Sequence, residues 1–176
     1  MDYLDEEYID PFEARIQFTE ILNNLTASQK SVTDAAIFAM KNRRSYELIY
    51  EIIRKFISNQ PVQARLNIFH VIDCICRYSI KLDFEEYIEL IKKDLSSIIK
   101  DITPENDAKG DANVKPVRKV LKGWKDKNFF SEEILKTIYE KLYKRELNFE
   151  EKHKAKQRAK NEITKRMEED RVKVSK

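Results

Sequence analysis

The sequence predicts an all-α protein built as a right-handed superhelical stack of about seven to eight helices, and three observations lead there. Apolar residues recur at i, i+3, i+4 and i+7 along most of the chain. Only two of its 176 residues are glycine, too few for the tight turns of a sheet protein or for a phosphate-cradling loop. Charged residues make up 37 %, against a usual quarter, which suits long solvated helices.

The elements follow in order. Asp10 before Pro11 is a helix start, with the carboxylate as N-cap and proline at the first helical position. Phe12, Ile16, Phe18, Ile21, Leu22 and Leu25 then form an apolar face. A second helix is expected from about Ser28 to Met40, buried through Val32, Ala35, Ala36, Phe38 and Ala39, and Asn42–Arg43–Arg44 breaks it. A third begins near Ser45 with a core stripe through Tyr46, Ile49, Tyr50, Ile53, Phe56 and Ile57. Pro61 opens the fourth, which is apolar on nearly every side and so belongs in the middle of the stack. Asp83 is expected to cap the fifth, with Phe84, Tyr87, Ile88, Ile91, Leu95 and Ile98 inside. Residues Thr103 to Ala112, with a proline, a glycine and small polar residues, read as the flexible loop. A sixth helix is expected from about Asn113 to Trp124, and a seventh from Ser131 to about Glu146.

Charge divides the chain into an acidic N-terminal segment (1–9), a helical domain (10–147) and a charged C-terminal extension (148–176). Residues 1–13 hold six acidic residues and no basic ones. Residues 150–176 hold ten Lys/Arg against six Asp/Glu, so the basic excess lies outside the helical domain. With few apolar residues the extension cannot build its own core, and it reads as a solvated helix or a disordered arm. Its interleaved glutamates count against nucleic acid as a partner. No apolar run approaches 18 residues, so no segment is expected to cross a membrane. Cys74 and Cys76 lie two apart on a helix, point to different sides, and suit a reducing, intracellular compartment.

Two constellations stand out. On the fourth helix, His70, Asp73 and Arg77 are spaced i, i+3, i+7 and line up on one side of an otherwise apolar element. An ionised carboxylate there must be paired or reach a solvated groove. It is either a surface Asp73–Arg77 pair or the wall of a binding groove. On the sixth helix, Lys115, Arg118, Lys119 and Lys122 form a basic ridge opposite the stripe Val117, Val120, Leu121 and Trp124. That ridge is either a solvated face or a site for phosphate or acidic peptide. Chemistry finds no foothold. Two histidines and two divergent cysteines make no metal quartet, and no nucleophile elbow, Walker sequence or zinc-protease motif occurs. No metal or cofactor is expected, and no catalytic residue.

The two motifs His70-Val71-Ile72-Asp73-Cys74-Ile75-Cys76-Arg77 and Lys119-Val120-Leu121-Lys122-Gly123-Trp124 resemble those of the CTD-interacting domain (CID) family. That family binds the heptad-repeat tail (CTD) of the largest RNA polymerase II subunit. The opening DPFEARIQFTEILNNLTASQKSV is similar to the start of the gamma-subunit family of the fungal CTD kinase I complex. The resemblance covers residues 8–147. It implies that Asp73 holds a turn-forming peptide and that Lys119 takes the place of a phosphoserine-reading arginine. His70 stands where a tyrosine is expected, Cys74 where serine is common, and Tyr78 where an asparagine is expected. Lysine keeps the charge at 119 but lacks the planar fork that suits phosphate.

The resemblance further implies a nuclear, non-catalytic scaffold subunit whose partners are a cyclin-dependent kinase and a cyclin, supporting tail phosphorylation during transcription elongation. Its charged tail would contact the other subunits. A phospho-CTD reader in termination or 3′-end processing is the alternative on the same fold. A VHS/ENTH-type trafficking adaptor is a third, which the acidic first thirteen residues fit poorly beside an anionic membrane.

Overall fold

The computed structural model describes residues 2–175. Among them are seven α-helices, two short 3-10 turns and no strand. The helices are α1 (Pro11–Asn23), α2 (Gln29–Lys41), α3 (Tyr46–Asn59), α4 (Val62–Lys81), α5 (Glu86–Ile102), α6 (Ala108–Asp126) and α7 (Glu132–Val174). Helices pack on their chain neighbours, above all α6 on α7, and on next-but-one neighbours: α1 on α3, α2 on α4, α3 on α5, and α4 on α6. This makes the expected helical stack with α4 at its centre, touching α2, α3, α5 and α6.

Local chemistry explains most of the helix ends. The Asp10 carboxylate accepts from the Phe12 N–H at 2.8 Å, and Ser28 Oγ accepts from the Ser31 N–H at 3.1 Å, each satisfying an orphan donor. Two C-termini use a residue in the left-handed region where glycine is usual. After α4, Asp83 (φ 55°) lets the Phe84 N–H reach the Ser79 carbonyl at 2.8 Å. After α6, Asn128 (φ 57°) lets the Phe129 N–H reach the Trp124 carbonyl at 3.0 Å. Both are Schellman turns with an aromatic residue just beyond the left-handed position. Asp83 therefore ends α4; it does not cap α5, which starts three residues later without a side-chain cap.

Three expectations change. The loop expected over 103–112 is shorter, because α6 begins at Ala108, capped by Asp107, whose carboxylate accepts from the N–H groups of Lys109 and Gly110. Gly110 supplies close approach rather than flexibility: a Cβ there would lie 2.2 Å from the Pro104 carbonyl oxygen. Asn113 completes the corner, its side-chain amide donating to the carbonyls of Val62 and Ile102 at 2.9 and 2.8 Å. On α1, Phe12 and Ile16 face solvent, and Ala14, Phe18 and Leu22 make the buried stripe. Finally, α7 does not stop near Glu146. It runs 43 residues, about 65 Å at 1.5 Å per residue, and every described residue after Glu150 is exposed.

The acidic N-terminal segment lies strapped across the end of α2. Leu4 is fully buried, the Glu7 N–H donates to the Lys41 carbonyl, and Glu6 and Glu7 pair with Arg43, Arg44 and Lys41. Among the described residues no helix is long and apolar enough to cross a membrane.

The two glycines give opposite expectations. Gly110→Ala drives a methyl into backbone and should cost about 1–3 kcal/mol. Gly123→Ala, in α6 with nothing within 4 Å of the new methyl, should gain about 0.5–1 kcal/mol through helix propensity. Urea unfolding followed by circular dichroism measures both.

Candidate functional site

The polar stripe of α4 opens onto a groove of about 600 Å³. Its walls are the start of α2 (Gln29, Val32, Thr33), the exposed side of α4, and the α6–α7 turn (Lys127, Phe129). His70, Asp73 and Arg77 all line it.

Asp73 is the centre of the site. It is only 8 % exposed, and its Oδ1 accepts from the Trp124 indole N–H at 2.7 Å and from Arg77 Nε at 3.2 Å. Trp124 is itself buried between Phe69 and Phe130, with ring centroids 5.6 and 4.8 Å away. One carboxylate oxygen is thereby spent joining α4 to α6. Among the described residues nothing donates to Oδ2, which is not a buried orphan either, so it is the oxygen turned to the groove. Asp73 and Arg77 pair, and they do so in the wall of a cavity.

His70 and Cys74 are held neutral. Burial pushes the His70 imidazole below its ordinary value of 6.5, against the opposing pull of Asp73. Burial, and next the Asp73 charge, push the Cys74 thiol up; Cys76, fully buried, is pushed up further. Both cysteines are free, and neither sits where a thiolate is stabilised. The remaining cations of the groove are Lys81 and Lys127, whose ammonium groups lie 5.8 and 6.0 Å from the rings of Tyr78 and Phe129. Sequence reasoning missed these two. Lys127 enters the groove only because Asn128 turns the chain; Asn-Phe directly after the helix is the signal that could have exposed it.

The structure does not bring the four cations of α6 to this groove. Lys115, Lys119 and Lys122 are exposed, but none lines it. Arg118 is committed elsewhere: Nε pairs with the buried carboxylate of Glu146, and a second nitrogen donates to the Tyr139 hydroxyl at 2.9 Å. Its guanidinium also lies against the rings of Tyr139 and Tyr143, at 5.6 and 5.3 Å. Hydrogen bonding to Glu146 raises the Arg118 pKa further, so the charge is permanent. Arg118 is a clamp between α6 and α7. The ridge was legible in spacing, but the buried glutamate that takes one of its members comes from 28 residues away.

The helical stack is the fold of CTD-interacting domains. A solved domain of this class, that of Ctk3, superposes with a TM-score of 0.73 at 29 % identity, covering 79 % of this chain and 99 % of that one. The domain of Seb1 from Schizosaccharomyces pombe, at 17 % identity and TM-score 0.65, shares the fold; the match covers 74 % of this chain and 97 % of that one. The family model for CTD kinase subunit gamma (CTK3) matches residues 9–131. The CTD kinase subunit gamma of Schizosaccharomyces pombe is 31 % identical over 174 residues, covering 93 % of this chain and 76 % of the relative. The chain belongs to the CTD kinase subunit gamma family.

Trp124→Phe keeps the ring packing and removes the donor to Asp73. The loss of a charge-assisted bond at a buried carboxylate should cost about 1.5–3 kcal/mol in urea unfolding. His70 sets a pH dependence. Its folded pKa lies below the unfolded one, so the unfolded chain takes up the proton first as pH falls. Stability should therefore drop on acidification through and below pH 6.5, and His70→Gln should flatten that part of a thermal-midpoint-against-pH profile.

Proposed function

We propose that this protein is a non-catalytic subunit of an RNA polymerase II CTD kinase complex, and that its helical stack is a docking scaffold. Residues 10–147 are the body of the folding unit in this reading, with the segment before them packed onto it through Leu4, and 148–176 an appended arm. Its partners are a cyclin-dependent kinase and a cyclin, it acts in the nucleus, and it supports phosphorylation of the polymerase tail during elongation. Membership of the gamma-subunit family, over most of the chain, supports the assignment to the complex.

The observation that carries the scaffold reading over a phosphopeptide reader is the capture of Arg118 by Glu146 and the tyrosines of α7. A planar two-pronged donor at the groove is what suits phosphoserine best, a lysine offering only a point charge. The one arginine of the α6 ridge is withdrawn, and the lysines beside it do not line the cavity. Arg77, the arginine that does line it, spends its Nε on Asp73. With the cysteine protons held on and the His70 imidazole held neutral, the groove also lacks an activated nucleophile or a charged general acid at neutral pH.

Two measurements test this. Co-expressed with the kinase and cyclin subunits, the full chain should co-purify with them; failure to associate removes the subunit reading. A serine-2-phosphorylated heptad peptide titrated by fluorescence anisotropy should show no saturable binding up to about 1 mM, weaker than about 4 kcal/mol. Tight phosphate-dependent binding that is lost in Asp73→Ala and Lys119→Ala would favour the reader.

A further inference from the structure

We propose that one continuous face of α7 is a docking surface for an acidic amphipathic helix of a partner protein. The face begins inside the folded body. A second groove, of about 580 Å³, lies between the C-terminal half of α5 and α7 and shares no residue with the first. Its apolar lining comes from Ile99, Pro104, Ile138 and Leu142. Arg145, also in the wall, is fully engaged with the carbonyls of Thr103 and Pro104 and with Asp111. Lys100 and Lys141, by contrast, are exposed in the groove and form no ion pair with any described residue. The single acid in the lining is Glu105.

Helical geometry carries this face outward. At 100° per residue, Ile138, Leu142 and Phe149 fall on the same line of α7 as Ile163, Met167 and Val174, all within about 60° of arc. The first two are partly or wholly covered by the body; the last four are uncovered, Met167 being 68 % exposed. Spacings of seven and four between apolar positions are those of a seam that packs against another helix. The extension is held helical in the meantime by pairs such as Glu168 with Arg171 at 2.9 Å. A helix lying along this seam from Ile138 to Met167 would run about 44 Å.

Charge decides what such a helix must be. Residues 152–160 hold five Lys/Arg and no acid, and none of the five is paired with a described residue. Lys152, Lys156 and Lys160 stand on or beside the apolar line. A second copy of this chain would set two arms of net +4 side by side, which is repulsive. An acidic helix meets the lysines with opposite charge and the seam with apolar side chains. The Glu162 and Glu168–Asp170 carboxylates on the same arm oppose a nucleic acid backbone.

The surface rests on the subunit reading above, and its test separates the two. The full chain and a Lys141→Glu/Lys152→Glu/Lys156→Glu variant are each reconstituted with the kinase and cyclin subunits, with Lys55→Glu as a charge control on the exposed face of α3, outside both grooves. The triple variant should bind at least tenfold more weakly, the control within twofold, and wild-type affinity should fall steeply with salt. Hydrogen exchange in the wild-type complex should show new protection over 149–170. Association with no such protection, or a triple variant within twofold of wild type, overturns the surface and leaves the subunit reading standing. Wild-type protection over 149–170 in the chain alone, rising with concentration, would assign the face to self-association and overturn the proposal. If the wild-type chain does not associate at all, the subunit reading fails and this surface falls with it.

Discussion

The Asp73 carboxylate, shared between Trp124 and Arg77, is the interaction on which the rest of the molecule turns. An ionised group this deep in an apolar helix is tolerable only with charge-assisted donors around it. The indole N–H at 2.7 Å supplies one, and supplying it fixes the position of α6 against α4. Trp124 could not donate there unless Phe69 and Phe130 held its ring, so the polar bond and the aromatic packing depend on one another. The same bond leaves the second carboxylate oxygen facing the groove. A core tie and a groove wall are thus one side chain.

The stack is held at its other corners by side chains that reach carbonyls of neighbouring elements. Asn113 ties α6 to the start of α4 and the end of α5, and the Tyr87 hydroxyl donates to the Ala39 carbonyl at 2.7 Å. Arg145 reaches the loop after α5 from α7. The Ala39 and Ile102 carbonyls lie in the last turns of α2 and α5, where no intrahelical donor reaches them. Such ties also explain how the chain manages with two glycines. Asp83, Asn106 and Asn128 take the left-handed backbone positions, and Gly110 is kept for the one place where a helix must touch proline backbone.

Cation placement sorts the two grooves. Arg118, the ridge member best suited to phosphate, is drawn into a cage of one glutamate and two tyrosines and serves to seat α7. Seating α7 in turn creates the second groove against α5 and launches a helix that continues far past the body. The acidic start of the chain is likewise consumed in the fold, strapped to the arginines and lysine at the end of α2. The lysine-rich face of α7, like the lysines of the α6 ridge, stays exposed without an ion pair among the described residues.

Periodicity, proline and capping chemistry by themselves determined that this is a helical stack, which helix is central, and that His70, Asp73 and Arg77 share one side of it. Those are properties of residues within a few turns of one another, and helical geometry converts spacing directly into direction. The partner of Asp73 and the fate of Arg118 were decided only by tertiary structure, because Trp124 and Glu146 reach them across 51 and 28 residues. The same holds for Gly110: its composition context reads as a loop, and only the nearness of the Pro104 backbone makes it a packing contact. The exposure of Phe12 and Ile16 was equally hidden, since an apolar stripe shows which side is oily but not which neighbour arrives to cover it.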